Sequence, residues 1–509
     1  MQILFLNPTF PDTSFREKRF GVGVDIHWGL SSMSAVLLAN GHKTSAIHFD
    51  WFPNEKEILS LVKTKNNTFK IDIIGIGFTY HQELYIYKWI KLLKSQFDIP
   101  IVVGGLFPSM RPNDVIEWDG VDYLCIGEGE KPLLELMNSL ENKQSKINVK
   151  SIWYKIDNQI IKNPVHPIEG KLDDLPFYDY SLFNLEKTNV AKKRLKPILY
   201  LASRGCPFSC TFCANHAIRN LYPNPIKYLR FQSVDRVIRE LKILLKKTPY
   251  SRTITFSDIT FNANKKWIME FCEKYSKKIG LPYRITIRLD LMTKEIADAL
   301  RYSGCYRVSY GLESGNEWLR NTILKRPLSN ENIIEQALNI HHAGIQSTSS
   351  NMVGLPHETI GMTLETIKLN AKCMVDTAIV SIFCPHPNTI LYDYCEKKKY
   401  IDHNTNLEND TTDTMLRQET ISPEEVRYSH RMFRLMVSIY KRIYKAPSQV
   451  QKRLECIVDR LYLQKLLPAH DLMVKIHDRY FQEFILSKQY RKLESPLIEQ
   501  FNITKRKEF

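Results

Sequence analysis

Ile198-Leu199-Tyr200-Leu201-Ala202-Ser203-Arg204-Gly205-Cys206-Pro207-Phe208-Ser209-Cys210-Thr211-Phe212-Cys213 joins an apolar pentapeptide to three thiols spaced within eight residues. The pentapeptide is bounded by turn-forming residues, which predicts a short buried strand running into a loop. Such a loop can wrap a metal group. Thiolates are soft ligands that suit both Fe–S clusters and zinc, so ligand type alone leaves the two open. Ligand number separates them further: a structural zinc ion wants four Cys or His ligands, whereas three cysteines leave one iron of a cuboidal [4Fe-4S] cluster free. His216 is the candidate fourth ligand in the zinc alternative.

Working outward, residues 196–400 alternate short strands with amphipathic stretches. Strands are expected near Ile198–Ala202, Thr253–Phe256, Tyr283–Ile287, Arg307–Tyr310, Gln346–Met352 and Ala378–Phe383. Repeats of this kind make a partial (β/α)6 TIM-type barrel, with reactive groups at the C-terminal strand ends. Residues 1–144 show the same rhythm, with strands at Ile3–Asn7, Lys43–Ile47, Ile71–Ile76, Ile101–Val103 and Tyr123–Ile126. That pattern predicts a doubly wound, Rossmann or flavodoxin-like parallel sheet, whose ligands sit at the carboxyl ends of the strands. Those ends carry Asn7, Thr79, Gly104-Gly105 and Gly127-Glu128. Residues 145–195 read as a linker with a hairpin around Asp157-Asn158, and residues 401–509 as a mainly helical, aromatic and basic C-terminal domain. The fold class is therefore α/β throughout its first 400 residues.

No window reaches the roughly 18 uninterrupted apolar residues that a spanning helix needs. The N-terminus lacks the basic stretch and cleavage site of a signal peptide. A soluble, cytoplasmic chain without a membrane partner is expected. Ten cysteines, scattered apart from the one tight group, suit a reducing compartment and metal binding more than disulfides. The other seven, Cys125, Cys272, Cys305, Cys373, Cys384, Cys395 and Cys456, read as buried small hydrophobes. The net charge of +16 favours anionic partners, yet the basic residues are dispersed and no RNA-binding motif is present, which argues against nucleic acid.

Cys206, Cys210 and Cys213, with Phe212 as the aromatic residue before the last thiol, match the Cys-x3-Cys-x-aromatic-Cys signature of the radical S-adenosylmethionine (SAM) superfamily, which this sequence resembles. Further pieces follow in the family's order: Phe256-Ser257-Asp258, Arg288-Leu289-Asp290, Gly311-Leu312-Glu313-Ser314-Gly315 and Met352-Val353-Gly354-Leu355-Pro356-His357-Glu358-Thr359. The resemblance implies a [4Fe-4S] cluster on the three cysteines, with the amino and carboxylate groups of SAM on the open iron. One electron then splits a carbon–sulfur bond of SAM to give a 5′-deoxyadenosyl radical. Asp258, Glu313 and Ser314 can pair with the ammonium and ribose hydroxyls of SAM, Arg288 with its carboxylate, and Gly354 lets the backbone approach. For any one carboxylate the alternative is a salt-bridged residue at the barrel rim.

A doubly wound domain ahead of such a barrel is similar to the cobalamin (B12)-binding class of the superfamily. The matching segments are Val102-Val103-Gly104-Gly105-Leu106-Phe107-Pro108, Ile126-Gly127-Glu128-Gly129-Glu130, Asp174-Leu175-Pro176-Phe177 and Pro385-His386-Pro387-Asn388-Thr389. The family usually has glycine where Asn388 stands. Asn7, Thr79, Gly104, Gly105, Gly127 and Glu128 are the implied cobalamin-binding positions, the glycines giving the corrin room. Asp25-Ile26-His27-Trp28-Gly29 is one residue short of the Asp-x-His-x-x-Gly motif that supplies a cobalt ligand in another cobalamin class, so His27 reads as a helix cap or packing residue. A flavodoxin-like module without cobalamin is the alternative for the whole domain.

The functional expectation is a cobalamin-dependent radical SAM methyltransferase acting on an unactivated carbon of a small-molecule or peptide substrate, fed by an external one-electron donor of flavodoxin or ferredoxin type. The same machinery could instead cyclise, oxidise or rearrange its substrate. A tRNA methylthiotransferase would carry a second three-cysteine cluster near the N-terminus, where residues 1–195 hold only Cys125. A cobalamin sensor or an Fe–S electron carrier is the non-enzyme alternative, and would need none of the residues assigned to SAM.

Overall fold

The computed structural model describes residues 1–8, 26–49, 53–80, 82–157, 159–168, 170–183, 197–248, 251–403, 405 and 413–467. Outside these lie Asp25, Asn158, the end of the expected linker and the end of the C-terminal helical region.

Strands β1 (Gln2–Pro8), β2 (Lys43–Phe49), β3 (Ile73–Gly77), β4 (Ile101–Gly104) and β5 (Tyr123–Cys125) are all parallel. Helices α1 (Trp28–Ala39), α2 (Glu55–Phe69), α3 (Glu83–Gln96), α4 (Leu106–Met110), α5 (Pro112–Glu117) and α6 (Glu130–Glu141) connect them. The spatial order β2-β1-β3-β4-β5 reverses direction at β1, the switch point where doubly wound sheets open a crevice at their strand ends. Two clusters of buried apolar side chains, around Leu4, Ile74, Ile101 and Val103 on one face and Ile3, Phe5, Ile73 and Val102 on the other, explain why the strands read as continuous apolar runs. The hairpin expected inside the linker is β6 (Ile152–Ile156) and β7 (Gln159–Lys162), and it extends this same sheet antiparallel to β5.

The second sheet has six parallel strands in sequence order, β8 (Ile198–Tyr200), β11 (Ile254–Phe256), β12 (Tyr283–Ile287), β13 (Cys305–Glu313), β14 (Gln346–Val353) and β15 (Thr377–Ile382), with β8 and β15 at the edges. This is a partial barrel. The two-residue strands β9 (Ser203–Arg204) and β10 (Arg230–Phe231) pair beside it and flank α7 (Ala214–Arg219). Helices α8 (Val234–Lys247), α9 (Lys265–Lys278), α10 (Lys294–Tyr302), α11 (Asn330–His342), α12 (Ile360–Lys372) and α13 (Ile390–Lys397) follow the strands. Helices α14 (Pro423–Ile443) and α15 (Ser448–Leu463) complete the described chain. Ser422 and Glu425 form a capping box that starts α14, and its Val426, Phe433, Met436 and Tyr440 are buried in the barrel's own core. No helix among the described residues is long and apolar enough to cross a membrane. Of the seven isolated cysteines five are buried, whereas Cys384 is half-buried and Cys456 is exposed on α15.

Candidate active site

The thiol loop is gripped from two sides before its first cysteine. Asp258, just beyond β11, accepts the Ala202 N–H (3.2 Å) and the Ser203 hydroxyl, so both oxygens of a residue expected to meet SAM hold the base of the loop. Burial pushes this carboxyl up to about 6 against the pull of those hydrogen bonds. On the other side Arg204 reaches the first domain: its guanidinium donates to Glu130 Oε1 (2.6 Å) and to the Ser32 hydroxyl (2.9 Å), and lies 3.4 Å from Glu128. Burial alone would raise the Glu130 carboxyl, yet the Arg204 charge holds it below its ordinary range. Gly205 sits at φ +85°, with the Tyr228 carbonyl where a Cβ would stand, so the turn into Cys206 requires glycine.

Each sulfur of the loop has a hydrogen-bonding partner. Cys206 Sγ lies 3.7 Å from the Thr260 hydroxyl and Cys213 Sγ 3.7 Å from Asn215 Nδ2. Cys210 Sγ faces guanidinium nitrogens of Arg288 at 3.5 Å and Arg326 at 3.9 Å. Among the described residues no three His, Cys, Asp or Glu side chains close on a point that would hold one metal ion. His216 turns to Asn220, the residue that ends α7, instead (3.3 Å). Three soft sulfurs spread along one loop fit a cuboidal iron–sulfur cluster better than a single zinc ion.

The remaining barrel residues fall into two groups. Arg288 forms a two-pronged pair with Asp290 (2.8 Å for both contacts) and stacks on Phe208, its guanidinium 3.6 Å from the ring centre. Arg326 links Cys210 to Glu313 (3.7 Å) and donates to the Gly311 carbonyl (2.7 Å). Glu313 takes φ +67° where the β13–β14 register shifts, a conformation that costs a non-glycine residue energy and is over-represented at functional sites. Burial pushes its carboxyl up while Arg326 and Arg288 pull it down. Ser314 and Gly354 stand apart from this chain of contacts. The Ser314 hydroxyl accepts the Asn316 N–H (3.3 Å), and Gly354, at φ +79°, packs beneath Val426 of α14. Phe212 turns into the apolar cluster of Leu324, Leu355 and Phe383 at the barrel mouth.

In the first domain, Asn7 at the end of β1 is almost wholly buried. Its Nδ2 donates to His48 Nδ1 (2.9 Å), because His48 Nε2 must donate to the Leu182 carbonyl (2.8 Å), and its Oδ1 has no partner among the described residues. A buried acceptor without a donor is costly. The periphery of a corrin carries primary amides whose N–H groups would supply one, so the strand-end residues fit cobalamin at this position. Thr79 is exposed beside it, held by Gln82 (3.0 Å). His27 accepts the Leu30 N–H (3.2 Å) as the cap of α1.

The glycine-rich ends of β4 and β5 lie close to other parts of the chain. A Cβ on Gly105 would stand 2.9 Å from the backbone of Phe78, and one on Gly127 2.5 Å from the Tyr222 hydroxyl, whereas Gly104 has only Cys125 near it at 3.4 Å. Glu128 pairs with Arg230 as well as Arg204, and its N–H donates to Tyr222 (2.9 Å). Gly127 and Glu128 therefore dock the first sheet onto the segment around the thiol loop. At the other corner Tyr80 donates to the Pro387 carbonyl (3.2 Å) and Asn388 to the Met110 carbonyl. Asn388 adopts φ +63°, a left-handed conformation that asparagine tolerates, which accounts for its standing where glycine is usual. The strand ends of the two sheets thus face one another. Tyr222, Thr260 and Arg326 were missed from the sequence; Arg204 and Glu130 stood inside quoted segments, but their pairing across the two sheets had no local signal.

Two parallel sheets with facing strand ends, one bearing a three-thiol loop, define a radical SAM protein with an added B12-binding fold. Residues 200–369 match the Radical SAM superfamily and residues 22–137 the B12 binding domain. An uncharacterised methyltransferase of Pyrococcus horikoshii is 27% identical over 64% of this chain and 70% of its own. The anaerobic magnesium-protoporphyrin IX monomethyl ester cyclase of Rubrivivax gelatinosus is 24% identical over 77% and 69%. The solved structure of the cobalamin-dependent S-adenosylmethionine radical enzyme OxsB with aqua-cobalamin bound shares the fold, with a TM-score of 0.66 at 17% identity, covering 95% of this chain and 75% of that one. The chain belongs to the B12-binding-domain-containing radical SAM proteins.

Proposed function

We propose that the chain is a cobalamin-dependent radical SAM methyltransferase that places a methyl group on an unactivated carbon. In this reading the cluster on Cys206, Cys210 and Cys213 supplies the electron that cleaves SAM, and cobalamin at the Asn7 and Thr79 strand ends carries the methyl group. The observation behind it is the docking of the two strand-end mouths through Arg204–Glu130, Tyr80–Pro387 and Asn388–Met110, which would bring a carrier bound at one opposite a radical source bound at the other. Arg288 and Arg326 hold positive charge against Cys210, and Glu313, 3.7 Å from Arg326, offers a carboxylate to a cationic ligand. Asp258 and Glu130 hold the loop still from opposite sides, which positions the reacting groups. The relative named as a methyltransferase supports methyl transfer.

The cyclase relative favours a second reading, radical chemistry without methyl transfer. Anaerobic incubation with methyl-labelled SAM, cobalamin and a reductant separates the two. Methyl transfer predicts S-adenosylhomocysteine alongside 5′-deoxyadenosine, and label on the cobalamin. Formation of 5′-deoxyadenosine alone would support the second reading.

A further inference from the structure

Helices pack on the outer face of the six-stranded sheet. Val308, Tyr310, Ala378 and Val380 point to that side and belong to the buried core, so the alternate residues of the same strands face the hollow of the barrel. A barrel interior is ordinarily filled by layers of branched apolar side chains. This one is lined by hydroxyls. Thr286, Ser309, Thr348 and Thr377 stand in register across four strands. One layer higher Ser350, in the interior of the sheet, is exposed, and Ile379, its partner in register, is 40% exposed; Ser381 above them is exposed as well. The hollow is therefore open to a polar molecule.

At the foot of the hollow Arg284 of β12 and Arg307 of β13 stand side by side in register, both half-buried. Like charges directly opposite one another on neighbouring strands destabilise a sheet. Each guanidinium is oriented by a neutral group: Arg284 Nε donates to the Thr255 hydroxyl (2.8 Å), and Arg307 donates to Gln346 Oε1 through Nε (3.2 Å) and one terminal nitrogen (2.7 Å). No carboxylate pairs with either among the described residues. Glu313, at the top of the same face, is taken by Arg326. Asp376, at the foot, accepts the Ser347 N–H (2.8 Å) and lines a recess with Arg434 and Lys441 of α14 on the outer side. Two neighbouring guanidinium forks, held in place and without an anion of their own, match the oxygens of a carboxylate or a phosphate.

We propose that Arg284 and Arg307 determine substrate specificity by taking the anionic end, a carboxylate or a phosphate, of a hydroxylated small molecule that lies along the hollow. Four residues of extended strand separate Arg284 from Arg288, which places the anion site roughly 13 Å below the guanidinium that faces Cys210. A substrate anchored at the foot presents its far end to the thiol loop, and the serine and threonine layers between meet its hydroxyls. Which end reacts rests on the radical reaction proposed for that loop; the anion site itself does not.

The test uses the anaerobically reconstituted full chain and two probes, inorganic phosphate and acetate, each titrated by calorimetry at constant ionic strength into the wild type, Arg284→Gln, Arg307→Gln and the double variant. The tighter-binding probe tells a phosphate-bearing substrate from a carboxylate-bearing one. Its affinity falls about tenfold in each single variant and further in the double. Arg307→Lys, which keeps the charge, binds it more tightly than Arg307→Gln. Cleavage of SAM to 5′-deoxyadenosine in the absence of substrate is the second readout, and it continues at the wild-type rate in the double variant because Cys210, Arg288 and Glu313 are untouched. Equal binding in wild type and double variant, or no binding of either probe to the wild type, would overturn the anion site. So would a double variant that loses SAM cleavage together with binding, since the arginines would then be bracing the barrel. A wild-type chain that binds the probe through these arginines yet never cleaves SAM would overturn the radical reaction and uphold the anion site.

Discussion

Asn7 carries an unmet demand in the first domain: a buried carbonyl oxygen at the end of β1 with no donor among the described residues. Replacing it with leucine removes that demand along with the hydrogen bond to His48. Asn7→Leu should lower cobalamin affinity roughly tenfold, the worth of about one good hydrogen bond, while leaving iron content unchanged. Equilibrium dialysis against hydroxocobalamin together with iron assay checks this, and unaltered affinity would place the corrin elsewhere. At this scale the sequence was informative wherever a residue's role is local. The three cysteines, Phe212 and the left-handed Asn388 all announce themselves within a few positions. Arg326 did not, because its contacts with Cys210 and Glu313 depend on how the end of β13 curls back, which no local pattern encodes.

At the level of elements, one turn joins distant parts of the chain. The Gly127-Glu128-Gly129-Glu130 turn between β5 and α6 docks onto β9, β10 and Tyr222, so the two parallel sheets are joined through the base of the thiol loop. Gly127→Ala adds a methyl group 2.5 Å from the Tyr222 hydroxyl at a backbone φ of +80°. A loss of about 1–3 kcal/mol is expected from the backbone strain, with the steric clash adding to it. Adding Tyr222→Phe removes the clashing oxygen and should recover part of that loss in thermal melts, whereas a G127A variant as stable as the wild type would mean that this interface is loose. The strands themselves were readable from apolar runs and turn residues. The docking was not, because Glu128 and Glu130 meet Arg204 and Arg230 across distant parts of the chain. Helix α14 shows the same limit: its aromatic residues read as a tail without a motif, and they pack into the barrel core.

For the molecule as a whole, buried carboxylates tie stability to pH. Glu358, fully buried behind Gly354, accepts the N–H groups of Gly354 (2.6 Å) and Leu355 (3.1 Å) through one oxygen, and its other oxygen is buried as well. Burial pushes its carboxyl from an ordinary 4.5 to about 7. The folded chain then keeps a proton that the unfolded chain has released, so stability falls as pH rises between those values and levels off above them. The span corresponds to a cost on the order of 3 kcal/mol. Glu358→Gln should flatten that slope in denaturant titrations at a series of pH values; an unchanged slope would show that water reaches the carboxylate.

The facing of two strand-end mouths is what the functional reading depends on. Electron paramagnetic resonance of the reconstituted chain holding both a reduced cluster and cob(II)alamin tests it directly. If the two sites share one cleft, each signal is broadened or split by the other when both cofactors are present. A spectrum equal to the simple sum of the cluster-only and cobalamin-only samples would contradict the arrangement.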